Sequence, residues 1–475
     1  MGKNKNVGGL TWKHKIGYGC GDAGGCITLL LVTSYMTRYV TNVLNISYET
    51  LATLLLIWNI WDAVNDPLMG TIMDKSFAKA KNKNNKFRPW ILASIPVFGF
   101  GCIAFFTVPG LIGNRIVSIA ALFLLKVVYE LGYTMLNIGM GSMLGVMATN
   151  DGERATLSSA RGFGGTIAGL IASMAVSNIL ASLGENYKGY AVAGIVCTVL
   201  AAIIVFIHYA WTEERNVAAQ TSSSGDDETD KIKVTDILEV FKKNRAYLAL
   251  CIHSLFIAST ATIYNQASSY IYPDVLGDIS LLGYSSLVTT ILQLTALSLA
   301  PALAKKFGMI EFIRAALVVG SVILIGLFAL MAVIDVPALA YMLIVGVGYA
   351  FINISTQMQW GLVGEAIDYN EYITGKRTEG SIYGVFSLSR RVGSTIASSL
   401  AVLIIGWIGY NSEAANAGLA QAASTITGLK VMGLLVPAIL ALGSFAAFKF
   451  IWNIDDDVRA KLAAWHEAKK AGTVK

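Results

Sequence analysis

Two carboxylates, Asp62 and Asp66, stand four residues apart in the apolar run LLIWNIWDAVNDPLMGTIMDKS, residues 55–76, with Asn65 between them. On a helix that spacing puts all three side chains on one face, with the carboxylates about 6 Å apart. Asp62 is equidistant from Glu49 and Lys75 at the two ends of the run, about 20 Å from either at ~1.5 Å per residue. In a bilayer it would lie near the midplane, where one ionised Asp costs roughly 3 kcal/mol on insertion scales and two like charges repel. Two compensations fit: a proton on one carboxylate, or a monovalent cation between oxygen ligands. Pro67 lacks the N–H that would pair with the Ala63 carbonyl and so leaves a backbone oxygen beside the acids. The alternative is a structural pair neutralised by bases on other helices. Intramembrane acids that face each other are read first as an ion path.

Basic residues also fall inside apolar runs. Arg390 and Arg391 lie about 20 Å up a helix that starts near Arg377 and Glu379, and Arg161 lies about 10 Å past Arg154. A guanidinium presents a fork that fits a carboxylate through two parallel hydrogen bonds, which favours an anionic ligand; the alternative is that an arginine neutralises Asp62 or Asp66. Lys126 and Glu130, at i and i+4, are expected to form an internal salt bridge. Asp22, in a Gly-rich setting, is read as serving helix packing or gating, with direct ligation as the alternative. Asp74, Arg88, Asp368, Glu371, Arg377 and Glu379 fall at one mouth, as gating ion pairs or as an exposed charged loop. Gly162, Gly164 and Gly165 are expected to permit close helix contact.

The elements that position these groups follow from composition. The 475 residues are 55% hydrophobic and 14% charged, with a mean hydropathy of +0.60. The apolar residues come in continuous blocks near 16–39, 51–74, 90–110, 117–148, 158–183, 189–211, 246–272, 280–303, 310–333, 337–363, 379–409 and 427–452. These predict an all-α membrane protein of twelve transmembrane helices. Lys3, Lys5, Lys13, His14 and Lys15 precede the first block, which is too long for a signal peptide. Lys75, Lys79, Lys81, Lys83, Lys86 and Arg88, then Lys305 and Lys306, recur with one parity, whereas Asp274, Asp278 and Asp335 occupy the other. The positive-inside rule then places both termini in the cytoplasm of a multi-pass cell-membrane protein. That bias accounts for the net charge of +6, with no nucleic-acid partner. Cys20, Cys26, Cys102, Cys197 and Cys251 read as free thiols within spans. The scattered histidines match no metal spacing, and no phosphate-binding loop is present.

A polar stretch, EERNVAAQTSSSGDDETDKIK, reads as a linker between two halves, followed by a short surface helix around Ile237–Phe241. The expected organisation is a six-helix bundle over 1–212, a linker over 213–245, a second six-helix bundle over 246–452 and a tail over 453–475.

WDAVNDPLMG, KFRPW and DYNEYITGKRTEG, in that order, resemble signatures of the glycoside–pentoside–hexuronide:cation symporters, the melibiose permease family of the major facilitator superfamily. The resemblance runs from GYGCGD at residue 17 to the last span. It implies two six-helix bundles and a sodium, lithium or proton site formed by Asp62, Asn65, Asp66 and Thr134. It also implies a sugar site, but the melibiose-permease acids on helices 1 and 4 are replaced by Cys26 and Asn137, and the aromatic one turn later by Gly141. YTMLNIGMGS and FSLSRRVG are similar to the glucuronide carriers of the family, which brings in Tyr133 and Ser387 beside Arg161, Arg390 and Arg391. The expected function is import of a glycoside, preferentially a glucuronide or hexuronide, coupled to Na+ or H+, by a monomer in the lipid bilayer with no cofactor. A neutral pentoside, xyloside or other oligosaccharide symporter is the alternative. An integral membrane enzyme is a weaker rival, since the spans show no Ser/His/Asp or metal constellation; so is a lipid transporter on the same fold, which would want a wider apolar cleft and should ignore sugars.

Overall fold

The computed structural model describes residues 9–79, 85–148, 151–215, 244–374 and 379–470. Regular structure among them is helical: α1 Trp12–Arg38, α2 Tyr48–Lys79, α3 Arg88–Thr107, α4 Arg115–Met147, α5 Asp151–Leu183, α6 Tyr187–Trp211, α7 Arg245–Asp274, α8 Ser280–Phe307, α9 Met309–Val333, α10 Ala338–Thr374, α11 Glu379–Trp407, and the short α12 Ser412–Asn416. The last crossing is composite: α13 Ala423–Lys430 passes through a π-helical turn, Val431–Leu435, into α14 Val436–Phe450, and α15 Asp456–Lys470 follows. Eleven of these crossings are long and apolar enough to traverse a membrane. The twelfth, α2, is 32 residues long and falls outside that group because of its own polar side chains. The proposed surface helix and most of the linker lie outside the described residues.

The chain forms two compact units. The first comprises Met1–Asp227 with Tyr272–Ser286 and Gly409–Gln421. Within it α1 packs on α5 so closely that a Cβ at Gly164 would overlap the backbone of Gly19, and one at Gly19 would come within 2.7 Å of the Ala160 carbonyl; here small residues let backbones approach. Asn114 caps α4 by accepting from the N–H groups of Ile116 and Val117 at 3.0 and 3.2 Å, supplying acceptors for N–H groups that no helical carbonyl can reach. KFRPW starts α3 in two ways. Its Pro89 needs no N–H partner, and the Glu214 carboxylate accepts from Lys86 N, Phe87 N and Arg88 N at 2.8, 2.8 and 3.0 Å, an anion at a helix N-terminus.

Tyr272–Ser286 and Gly409–Gln421 group with the first unit through a buried arginine. Arg38, 3% exposed, donates to both Glu185 and Asp274 and reaches the Tyr410 hydroxyl at 3.2 Å. Tyr410 donates to Asp274 Oδ2 at 2.9 Å, and Asn416 Nδ2 donates to the Asn42 carbonyl at 2.6 Å.

The second unit comprises Glu228–Ile271, Leu287–Ile408 and Ala422–Lys475. Asn244 caps α7 through Tyr247 N at 2.9 Å and ties it to α10 through the Ala366 carbonyl, also at 2.9 Å. The Tyr247 hydroxyl donates to the Ile382 carbonyl of α11 at 2.7 Å. Ser321 of α9 donates to the Ala438 carbonyl of α14 at 3.1 Å. Each bond satisfies a polar group that lipid would leave without a partner.

Candidate functional site

The aspartate pair lies on α2, which continues unbroken through Pro67, beside α4. Contacts between the two advance together: Trp58 Nε1 donates to the Phe123 carbonyl at 3.4 Å, and Asn65 Nδ2 donates to Thr134 Oγ1 at 2.9 Å. The helices therefore run parallel. The Thr134 hydroxyl donates in turn to Asp66 Oδ1 at 3.2 Å. Asn65 is fully buried, and its Oδ1 has no hydrogen-bond partner, an omission that costs about 1–3 kcal/mol for a buried polar atom. Asp62 and Asp66 are half-buried on the same face. All the available donor atoms are oxygens, which suits a hard monovalent cation or a proton and does not suit a soft metal. Asp62, Asn65, Asp66 and Thr134 thus fit a small cation, and the orphaned Asn65 oxygen is the group such an ion would satisfy.

One turn before Asp62, Trp58 lies against Lys126, whose ammonium is 5.8 Å from the Trp58 ring centroid and 5.4 Å from that of Tyr129. Lys126 makes the expected salt bridge to Glu130, and its charge is within electrostatic range of Asp62.

A second cluster joins α1, α4 and α5. Arg161 Nε donates to Asp22 Oδ1 at 3.1 Å, and Cys26 Sγ lies 3.8 Å from Asp22 Oδ2. Asp22 thus places a carboxylate one turn before Cys26. A Cβ on Gly165 would collide with that carboxylate, so the glycine makes room for it; nothing lies within 4 Å of a Cβ at Gly162. A Cβ on Gly141 would be 4.0 Å from Arg161 Nη1, so the guanidinium lies beside Gly141. Tyr133 stacks on Tyr129 with centroids 6.1 Å apart. It is within electrostatic range of Cys26, Asp22 and Arg161, and also of Asp62, and so feels the charges of both clusters. Asn137 is exposed.

Ser387, Arg390 and Arg391 belong to α11 in the second unit. Ser387 and Arg390 are exposed and Arg391 is half-buried. The Arg390 guanidinium is 5.8 Å from the Trp360 ring centroid, a cation–π arrangement. Among the gating candidates, Arg88 donates to the Tyr209 carbonyl at 2.8 Å and stacks on its ring at 4.6 Å, both within the first unit. Glu371 is buried near the end of α10 and Asp368 half-buried one turn before it. The side chains of Asp74 and Glu379, and the whole of Arg377, lie outside the described residues.

Two features were legible only in part. Asp22 was visible as an acid in a span, but its link to Arg161 is long-range. The Arg38 cluster had a signal, an arginine near the end of the first apolar block, but of its partners Glu185, Asp274 and Tyr410 only Asp274 stood out, as a loop acid. A cavity of about 650 Å³ opens beside Arg38, lined by Asn42, Glu185, Asp278 and Asn416 among others; it does not include the aspartate pair.

The family described as MFS/sugar transport protein matches residues 17–456. The chain belongs to this family, and is a sugar transporter of the major facilitator type with twelve membrane-crossing segments. Uncharacterized symporter YjmB of Bacillus subtilis is 26% identical over 456 residues, covering 95% of both chains. Glucuronide carrier protein homolog of Escherichia coli is 25% identical over 449 residues, covering 93% of this chain and 92% of its own. Among solved structures, nucleoside transporter NupG superposes with a TM-score of 0.61 at 16% identity, covering 92% of this chain and 99% of its own, which speaks to the fold alone.

Proposed function

We propose that this chain is a symporter that imports a glycoside together with Na+ or H+. The observation that carries the coupling is the buried, unpartnered Asn65 Oδ1 beside Asp62, Asp66 and Thr134. An ion held there removes the repulsion between the aspartates and lets α2 and α4 settle together. Tyr133, in range of both Asp62 and the Asp22–Arg161 pair, then ties ion occupancy to the sugar-binding groups, so that each ligand lowers the cost of binding the other. The distribution of basic residues supports cytoplasmic termini, which makes import the direction in which an inward cation gradient drives the cycle.

For the sugar, the reading is a glucuronide or hexuronide. Arg390 and Arg391 on α11 and Arg161 on α5 supply guanidinium forks, and one relative bears the name of a glucuronide carrier homolog. A neutral glycoside is the second reading. It is favoured by the Asp22–Arg161 ion pair, which offers donors and acceptors to hydroxyls while cancelling the charge of one arginine. Counterflow in proteoliposomes with glucuronides, xylosides and galactosides, with and without Na+, tests both. Stimulation by Na+ or by a proton gradient is expected, with glucuronides preferred; better transport of neutral xylosides selects the second reading, and indifference to both cations removes the coupling.

A further inference from the structure

The pair Lys126–Glu130 is used by neither the ion cage nor the sugar cluster, yet it adjoins the cage. The side chains are 8% and 10% exposed. The ammonium rests on Glu130, faces the rings of Trp58 and Tyr129, and is in electrostatic range of Asp62 across the α2–α4 packing. The Cys102 thiol of α3 and the Tyr129 phenol are also close to it. The column thus holds three carboxylates, Glu130, Asp62 and Asp66, and one ammonium. An ammonium is a point charge on a flexible four-carbon stem without a directional fork, so turning from one carboxylate to another breaks no fixed bidentate geometry.

We propose that Lys126 is a tethered counter-cation for the coupling site: with the transported ion between Asp62 and Asp66 its ammonium rests on Glu130, and when the ion leaves it turns to Asp62. The empty carrier then keeps a compensated charge near the midplane, as it must to return without an ion. Glu130 is the resting partner that keeps the ammonium off Asp62 while the transported ion occupies the site. The inference rests on Asp62 and Asp66 holding that ion.

The test uses the full chain in three forms: wild type, E130Q and K126Q/E130Q. Cation affinity is read without sugar, both as 22Na+ binding and as proton uptake in Na+-free solution. Removing an internal competitor raises apparent affinity by the inverse of the fraction of carriers with Asp62 open, so K126Q/E130Q should bind the ion at least about fivefold more tightly than wild type. A merely structural pair, neutral before and after the double substitution, leaves affinity unchanged, and that result overturns the proposal. E130Q, which deprives Lys126 of its resting partner, should weaken binding by about fivefold or more. It decides alone if the double variant fails to insert, with unchanged affinity overturning the proposal. A wild type that binds neither Na+ nor protons at the site defeats the coupling reading and this inference together, whereas binding that the variants do not shift defeats only the inference.

Discussion

Two charge clusters in the first unit each set carboxylates beside one base, to different ends. At one, Arg38 directs Nε, Nη1 and Nη2 into Glu185, Asp274 and Tyr410, and Tyr410 completes the ring by donating to Asp274. At the other, Asp62 and Asp66 share a helix face with a buried Asn65 oxygen that nothing satisfies, and the nearby base is the flexible Lys126. The first cluster also joins segments far apart in sequence, Tyr272–Ser286 and Gly409–Gln421, to the α1–α6 region, whereas the second joins two neighbouring helices. Both carry more acid than base, so charge imbalance does not separate them. Hydrogen-bond saturation does: a planar fork with its acceptors in place holds a structure, while an orphaned acceptor among carboxylates calls for a ligand.

The largest expected effect falls on the unsaturated cluster. Asp66→Asn should abolish cation-driven accumulation, leaving intravesicular sugar at its equilibrium level, because a neutral amide cannot complete the cage. Energy-independent exchange should persist, since the Asp22–Arg161 cluster is untouched. Full sodium- or proton-driven accumulation by this variant would put the coupling ion elsewhere and erase the contrast.

Next in size is the saturated cluster. Arg38→Ala strands the Glu185 and Asp274 carboxylates, and breaking a buried pair by removing one partner costs about 3–5 kcal/mol. Thermal unfolding in detergent should show it as a large drop in Tm, with Arg38→Lys recovering only part because a point charge cannot serve all the acceptors. A stable Arg38→Ala protein would mean that the ring is incidental to the first unit.

A third, smaller effect concerns α11. If Arg390 or Arg391 holds a sugar carboxylate, substitution by Gln should weaken glucuronide binding by about 1.5–3 kcal/mol, the range for a hydrogen bond to a charged group, while the matching neutral glucoside changes much less. Equal losses for both ligands would assign the arginine to scaffolding. That difference is read from competition binding with the paired sugars.

How far the sequence anticipates these clusters depends on the range of the contacts. The helices were legible because apolar blocks set their lengths, and α2 and its carboxylate face followed from an i, i+4 spacing that holds within one helix. Lys126–Glu130 was legible for the same reason. Thr134 came from family resemblance, because nothing local says that α4 lies parallel to α2. The composite last crossing read as one block because a π-helical turn leaves hydropathy unchanged. Asp22–Arg161, 139 residues apart, and Arg38–Asp274, 236 apart, were illegible as pairs: each depends on helix packing that brings distant segments together, and neither partner carries a mark of the other.

The smallest effect sharpens the comparison most finely. Asp22 and Arg161 form an ion pair like those of Arg38, but their side chains are 23% and 38% exposed, so water screens the attraction. A double-mutant cycle with Asp22→Asn and Arg161→Gln, read by thermal stability, should give a coupling no larger than about 1 kcal/mol, as for solvent-accessible pairs. The same cycle read by sugar binding should give more, because a bound sugar excludes that water and leaves its hydroxyls dependent on both partners. Equal coupling in the two readouts would make the pair a fixed strut between α1 and α5, as saturated in function as Arg38. Coupling that grows when sugar binds would place Asp22–Arg161 between the two extremes: a pair that holds its own geometry loosely so that a substrate can complete it.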